Sequence, residues 1–489
     1  MHKLLFSLAA LFLPLLINAQ LAPCGTLEDR VEWLREYQEN PAAYPRSNET
    51  IYVPMKIHIV GNNEGQGYTS IDRVFKAFCA LNEHFQDAEI QFFIAGDFHY
   101  INNTAYYQHN YDNGYNMMDE HNFSNVLNCY IVNDPAGNCG YSVYNRGIVL
   151  SNSCISTGSA TWAHEAGHFL SLPHTFSGWE GMDDFDYSQQ APNSIGNRLV
   201  ERVDGSNCEN AGDRFCDTPS DYLNFRWNCN GEGFSNIIQT DPNGEQFHSD
   251  GSLIMSYSAD NCAEMRFSEE QIAAMQANLM FDRPNLISSA APLDPIPADA
   301  VVEIVYPTEG QLLTDTISSI TLEWAPIPNA QYYIVDMNPF PFFTFTIFSA
   351  TVETNSVTFT GLEPNQDYYW RVRPYSLYST CMRFSDMASF TTGETITSTH
   401  EIANVDDFAI YPNPTTKDQQ ITIAFQAKER ANLQVKIVNL TGQEIKSLPF
   451  EANPGTNQLQ LSLNTISSGL YLVELIGEND RIVRKLVVK

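Results

Sequence analysis

Residues 158–176 read GSATWAHEAGHFLSLPHTF, and no other stretch of the chain restricts its fold and chemistry so tightly. On a helix, side chains four residues apart leave from one face a turn apart, so His164 and His168 can offer imidazole nitrogens to a single ion. Glu165 lies beside the first of them, where its carboxylate reaches a water on that ion without binding the ion itself. This is the logic of H-E-x-x-H, a zinc pattern. The alternative is a surface helix with two exposed histidines and an acidic neighbour. Trp162, Ala163, Ala166, Phe169 and Leu170 make the segment too apolar for that. Buried histidines and a glutamate without partners are costly, whereas one zinc ion accounts for all of them. Pro173 is expected to end the helix, and a turn there returns His174 as a third ligand. Three protein ligands leave the fourth position for water, the arrangement of a catalytic zinc site rather than a structural one.

The surroundings are those of an exported, folded chain. Its 489 residues exceed one compact core, so two to four domains are expected. With 58 acidic against 26 basic residues the formal charge is −32, which repels nucleic acid and anionic membranes and suits a soluble protein that binds cations. Residues 1–19 read as a signal peptide: a basic start, the apolar run LLFSLAALFLPLLI, and Ile17-Asn18-Ala19 before Gln20. No later segment is apolar for long enough to span a bilayer. Ten cysteines fit an oxidising compartment. Nine of them precede residue 270 and only Cys381 follows, so the expectation is four pairs among the nine with one thiol spare.

Four regions follow the signal. Residues 20–48 are polar with Pro41 and Pro45 near the end, and form a prosegment in this reading. Residues 49–288 open with the strand-like IYVPMKIHIV, continue with apolar residues at helical spacing in TSIDRVFKAFCALNEHF, and alternate further strands with helices, an α/β (α+β) domain. The Pro-Ala-Ser-rich stretch 289–300 is a linker. Residues 301–395 are short strands and turns with the spacing of a β-sandwich. There Leu362-Glu-Pro-Asn-Gln-Asp-Tyr368 resembles the tyrosine corner of fibronectin type III domains, and Trp324 falls where their early core tryptophan lies. Its expected role is a spacer, with substrate or glycan binding as the alternative. Residues 407–489 carry YPNP, GLYLVE and a basic end in LVVK, in an order that resembles the C-terminal sorting domain of type IX secretion. That resemblance implies a bacterial protein, secreted or held at the cell surface, that engages the type IX machinery. The simpler alternative is an ordinary terminal β-sandwich.

Across roughly residues 50–285 the motifs HEAGHFLSLPHTF, GDRFCDTPSD, LIMSYSADNC and MRFSEEQIAAM stand in the order seen in pappalysins, which the region resembles. These belong to the metzincins, whose long zinc motif is followed by a methionine turn. The resemblance implies that Met255 is a structural floor beneath the metal. It implies that Tyr257 coordinates the zinc at rest or hydrogen-bonds the reacting carbonyl, with a core tyrosine as the alternative. It also implies that Asp213, Asp217 and Thr218 bind calcium, a cation suited to hard oxygen ligands. Position eight of the long motif is usually glycine, and here it is Ser171. A gluzincin arrangement would take a later glutamate such as Glu201 as third ligand, and the methionine turn favours His174 instead. Cys24 is either a fourth zinc ligand that silences a proenzyme, as in cysteine-bearing metzincin prosegments, or one half of a disulfide with Cys79 or another partner. Cleavage near Arg46 would release it. Cys229 and Cys262 flank the methionine turn and are a candidate pair. The expected function is a secreted zinc metalloendopeptidase acting on proteins or peptides, with Glu165 as general base. The rival is a cell-surface adhesin or binding protein with a structural zinc site.

Overall fold

The computed structural model describes residues 21–26, 30–182, 184–290, 292–313, 319–343, 346–393, 405–417, 419–439, 443–464, 466–477 and 481–489. The signal peptide and most of the Thr/Ser-rich joint before residue 405 lie outside the described residues. The chain forms two compact units, Met1–Ile296 with Tyr375–Met382, and Pro297–Pro374 with Arg383–Lys489.

The first unit is built on a six-stranded sheet. Strand Ile51–Gly61 pairs in parallel with Ile90–Ile94, His99–Asn102 and Leu127–Val132. Leu127–Val132 pairs in parallel with Gly147–Ser151, and Gly140–Val143 closes that side as the one antiparallel edge. Strands Leu127–Val132 and Gly147–Ser151 are buried at every residue, as expected for strands covered on both faces. Helix Ile71–His84 starts where Ser70 accepts a hydrogen bond from Arg73 N, and it buries Val74, Phe75, Phe78 and Leu81. Phe78 meets Trp162 of the histidine-bearing helix Thr161–Phe169 at a centroid distance of 5.5 Å, which seats that helix against the core. A late helix, Glu269–Ala277, begins in a capping box of Ser268 and Gln271. Among the described residues no helix is long and apolar enough to cross a membrane.

The cysteine pairing departs from the sequence expectation. The pairs are not confined to the nine cysteines before residue 270: Cys381 bonds Cys79 across 302 residues, and two of the nine, Cys24 and Cys129, carry free thiols. The other pairs are Cys139–Cys154, Cys208–Cys216 and Cys229–Cys262. The segment Tyr375–Met382 therefore belongs to the first unit although it arises within the region assigned to the first β-sandwich. There Ile94 N donates to Leu377 O at 3.0 Å, Tyr378 stacks on Phe93, and Tyr375 packs on Phe75. The segment thus covers the sheet edge opposite Gly140–Val143, an edge whose unpaired amides would otherwise invite association.

The second unit holds two β-sandwiches. In the first, a three-stranded sheet (Ile304–Tyr306, Ser319–Trp324, Ser356–Thr360) faces a five-stranded one that includes Asp367–Tyr375. Trp324 and Trp370 are fully buried, and the Tyr368 hydroxyl accepts from Glu363 N at 2.9 Å, the tyrosine corner of a fibronectin type III-like sandwich. In the second, sheets of three and four strands enclose a core that includes Ile421, Ile423, Val435, Val473 and Leu486.

Because the long-range disulfide restrains the segment that covers the sheet edge, Cys381→Ser is expected to destabilise the first unit by about 2–4 kcal/mol. Differential scanning calorimetry should show one transition lowered and the sandwich transition unmoved.

Candidate metal centre

The histidine-bearing helix places His164 and His168 one turn apart, both buried. The helix stops at Phe169, before Pro173, because Ser171 turns the chain. Its φ is 81°, its N–H donates to His168 O, and Leu172 N donates back to Gly167 O at 2.9 Å. The reversal delivers His174 to the face occupied by the first two histidines. His168 Nε2 lies 3.1 Å from His164 Nε2 and 3.1 Å from His174 Nε2.

The outer nitrogens settle which atoms can bind an ion. His164 Nδ1 lies 2.7 Å from Ile254 O and His168 Nδ1 lies 2.7 Å from Leu172 O. A carbonyl only accepts, so both Nδ1 atoms carry the proton and both Nε2 atoms present lone pairs inward. His174 Nδ1 faces Glu180 Oε1 at 3.4 Å, a weaker contact of the same sense. Three inward lone pairs in a buried pocket repel one another unless a cation lies among them, so the donor set fits a metal. Nitrogen ligands together with a thiol fit zinc in particular. The fourth donor is Cys24, whose Sγ lies with the three imidazole nitrogens in a group whose members are all within 4.8 Å of one another. Without a cation, burial and then the charge of Glu165 push the Cys24 thiol well above its ordinary range.

The N-terminal segment holds Cys24 there through backbone hydrogen bonds to residues 137–140, which lead into the sheet's antiparallel edge strand Gly140–Val143. Ala22 N donates to Gly137 O, Cys139 N to Ala22 O at 2.7 Å, and Gly25 N to Gly140 O at 2.8 Å. The approach is close enough that a side chain at Gly25 would collide with Asn138 and the Tyr111 hydroxyl. Thr26, a residue the sequence does not single out, donates to Glu165 Oε2 at 3.1 Å and accepts from Ser142 N. Glu165 is fully buried, and its Oε1 has no hydrogen-bond partner among the described residues. Burial pushes its carboxyl up to about 8 against the hydrogen bonds from Cys24 and Thr26. It is not a ligand, and it faces the space beside the fourth donor.

Met255 has no exposed surface and packs against the histidine-bearing helix at Gly167. A side chain at Gly167 would meet its sulfur at 2.5 Å, which explains the glycine within HEAGH. Tyr257 packs its ring 5.0 Å from His174 and 4.6 Å from Phe176, and its hydroxyl points at Cys24 O at 3.5 Å. A small cavity beside His164 is lined by Thr161, Ile254, Tyr257, Arg226 and Asp260, with Pro23 at its wall.

The three residues expected at a calcium site separate. Asp213 is fully buried, with Thr218 Oγ1 donating to its Oδ1 at 2.9 Å and its Oδ2 without a partner among the described residues. Asp217 instead accepts from Glu270 N at 2.8 Å, at the start of helix Glu269–Ala277, so it is turned away from that pair. Glu201 is buried nearby. Burial, then the charges of Asp213 and Asp221, raise its carboxyl to about 9, and burial raises Asp213 to about 8.

Residues 409–489 match the family described as the secretion system C-terminal sorting domain. The protein is therefore a client of that export route, secreted or held at the surface of a bacterium. No curated protein matches the chain. Among solved structures, the crystal structure of FN3tt is 18% identical and covers 19% of this chain and 97% of its own, with a TM-score of 0.15. The fn3 domain of human collagen alpha-1(XX) is 20% identical over 22% of this chain and 92% of its own, with the same TM-score of 0.15. Dimeric latent PorU from Porphyromonas gingivalis is 15% identical over 39% of this chain and 20% of its own, again at 0.15. The β-sandwich assignments rest on the strand pairing described above.

Ser171 occupies a left-handed backbone conformation and its Oγ is buried without a partner among the described residues. Ser171→Gly is accordingly expected to raise stability by about 1 kcal/mol in denaturant melts, with the metal content unchanged.

Proposed function

We propose that the protein is an exported zinc metalloendopeptidase of the pappalysin type, held latent by its own prosegment. The observation that carries this reading is the convergence of three inward imidazole nitrogens and the Cys24 thiol beside a buried, non-ligating Glu165. A zinc ion held by His164, His168 and His174 would supply an acidified water and a polarised peptide carbonyl. Glu165 takes the proton of that water as general base and passes it to the departing amine. The Tyr257 hydroxyl, now turned to Cys24 O, would donate to the carbonyl oxygen as that atom gains charge. Met255 and Gly167 keep the floor of the site rigid.

In the latent chain the prosegment blocks this chemistry at two atoms. Cys24 takes the fourth position, and Thr26 takes the Glu165 oxygen that would face the water. Activation requires cutting between the latch and strand Ile51–Gly61. Arg46 is an accessible point for it, an exposed residue whose guanidinium pairs with the exposed Glu269.

One observation favours the rival, a non-catalytic surface adhesin: four protein donors form a closed set, as structural zinc sites do. Removal of the prosegment separates the two. The full chain should contain one zinc and cleave no peptide. After limited cleavage near residue 46 it should cleave a broad peptide library, and Glu165→Ala should abolish that cleavage. Cys24→Ala should cleave without trimming. Zinc retained with no cleavage after trimming would favour the structural site.

We further propose calcium at Asp213, Thr218 and Glu201, without Asp217. A carboxyl whose pKa is raised by folding holds a proton that the unfolded chain has released, so stability falls as pH rises through the interval between the two values. Calcium-free protein should therefore melt at lower temperature at pH 8 than at pH 5. Added calcium should restore most of the difference at pH 8 and little at pH 5, and Asp213→Asn should abolish that response. Equal melting temperatures at the two pH values would contradict the assignment.

A further inference from the structure

The mechanism leaves the buried carboxyl group of Asp221 unused. Asp221 is 4% exposed, and four donors from three separate segments converge on its carboxylate. Thr175 Oγ1 and Ser256 Oγ both donate to Oδ2 at 2.7 Å, and Ser249 Oγ donates to Oδ1 at 2.6 Å. Leu223 N completes the set at 3.1 Å. Thr175 directly follows His174, and Ser256 lies between Met255 and Tyr257. A single carboxylate oxygen is therefore shared by the loop that carries the third histidine and the turn that carries the floor and the tyrosine. The same two segments meet once more through Thr175 N and Met255 O at 3.2 Å.

We infer that Asp221 is a positioning residue for the centre: its buried carboxylate locks the His174 loop to the Met255–Tyr257 turn and so sets the third nitrogen against the other two. This deepens the zinc reading and rests on it. A hydrogen bond to a carboxylate is stronger than one between neutral groups, and three hydroxyl donors offset the burial of the charge. The two short bonds to one oxygen leave the loop and the turn little freedom to separate. His174 needs this more than its companions. Its own outer contact, to Glu180 at 3.4 Å, is longer than the 2.7 Å carbonyl contacts that hold His164 and His168.

The test uses the full chain. Thr175→Val and Ser256→Ala each delete one donor and leave the carboxylate in place. Asp221→Asn keeps the size and removes the charge. Each variant is loaded with zinc and challenged with a chelator, then trimmed and assayed for kcat and KM, and its metal-free form is melted. Positioning predicts zinc lost to chelator about tenfold faster in the Thr175→Val/Ser256→Ala double variant, with Asp221→Asn at least as fast. It also predicts that kcat falls while KM changes little. A merely structural role would lower the melting temperature and leave zinc retention and kcat per folded molecule as in the parent, and that result would overturn the inference. A parent chain that binds no zinc at all would overturn it together with the zinc reading.

Discussion

Three lone pairs pointed at one another in a buried space is the constraint on which the centre depends. Each imidazole is committed on its outer nitrogen, firmly for His164 and His168 and more weakly for His174, so none can relieve the crowding by changing tautomer. Such an arrangement is costly when empty and favourable around a cation. The surrounding structure supplies the rigidity that keeps it. The helix is seated by Trp162 against Phe78, and its C-terminal reversal depends on a serine in a backbone region that glycine prefers. The turn at residues 254–257 serves as a chassis: Ile254 O holds His164, Met255 O holds the amide after His174, and the Met255 sulfur fills the gap left by Gly167.

The proposed latency rests on the same geometry. A segment that pairs with the open edge of the sheet can set one thiol at the fourth position and one hydroxyl against the general base, through backbone bonds that tolerate most side chains. Gly25 is where that tolerance narrows, since a side chain there would require Asn138 and the Tyr111 hydroxyl to shift. Loss of the segment would free the edge, the fourth position and the Glu165 oxygen at once. Opening the site and arming it would then be a single event.

What the sequence revealed and what it hid divide along the range of the interactions. His164, His168 and Glu165 were legible because the helical repeat places them, and the β-sandwiches because alternation and the Leu362–Tyr368 corner are local patterns. Ser171 signalled its strain through its place in the motif. Thr26, Glu180 and Asp221 were not legible, since each acts through partners that only the folded chain brings near. Asp217 looked like a companion of Asp213 in one short motif. Its carboxylate turned instead to the start of a helix 53 residues onward. The Cys79–Cys381 bond was hidden for the same reason: counting placed the pairs among the nine cysteines before residue 270, and this pair spans 302 residues.

X-ray absorption at the zinc edge of the intact latent chain tests the central claim most directly, because it counts ligands by element. The account predicts three nitrogens at about 2.0–2.1 Å and one sulfur at about 2.3 Å, with the sulfur replaced by a light atom once the prosegment is cut away. A spectrum with no sulfur in the latent chain, or with sulfur retained after cutting, would contradict it.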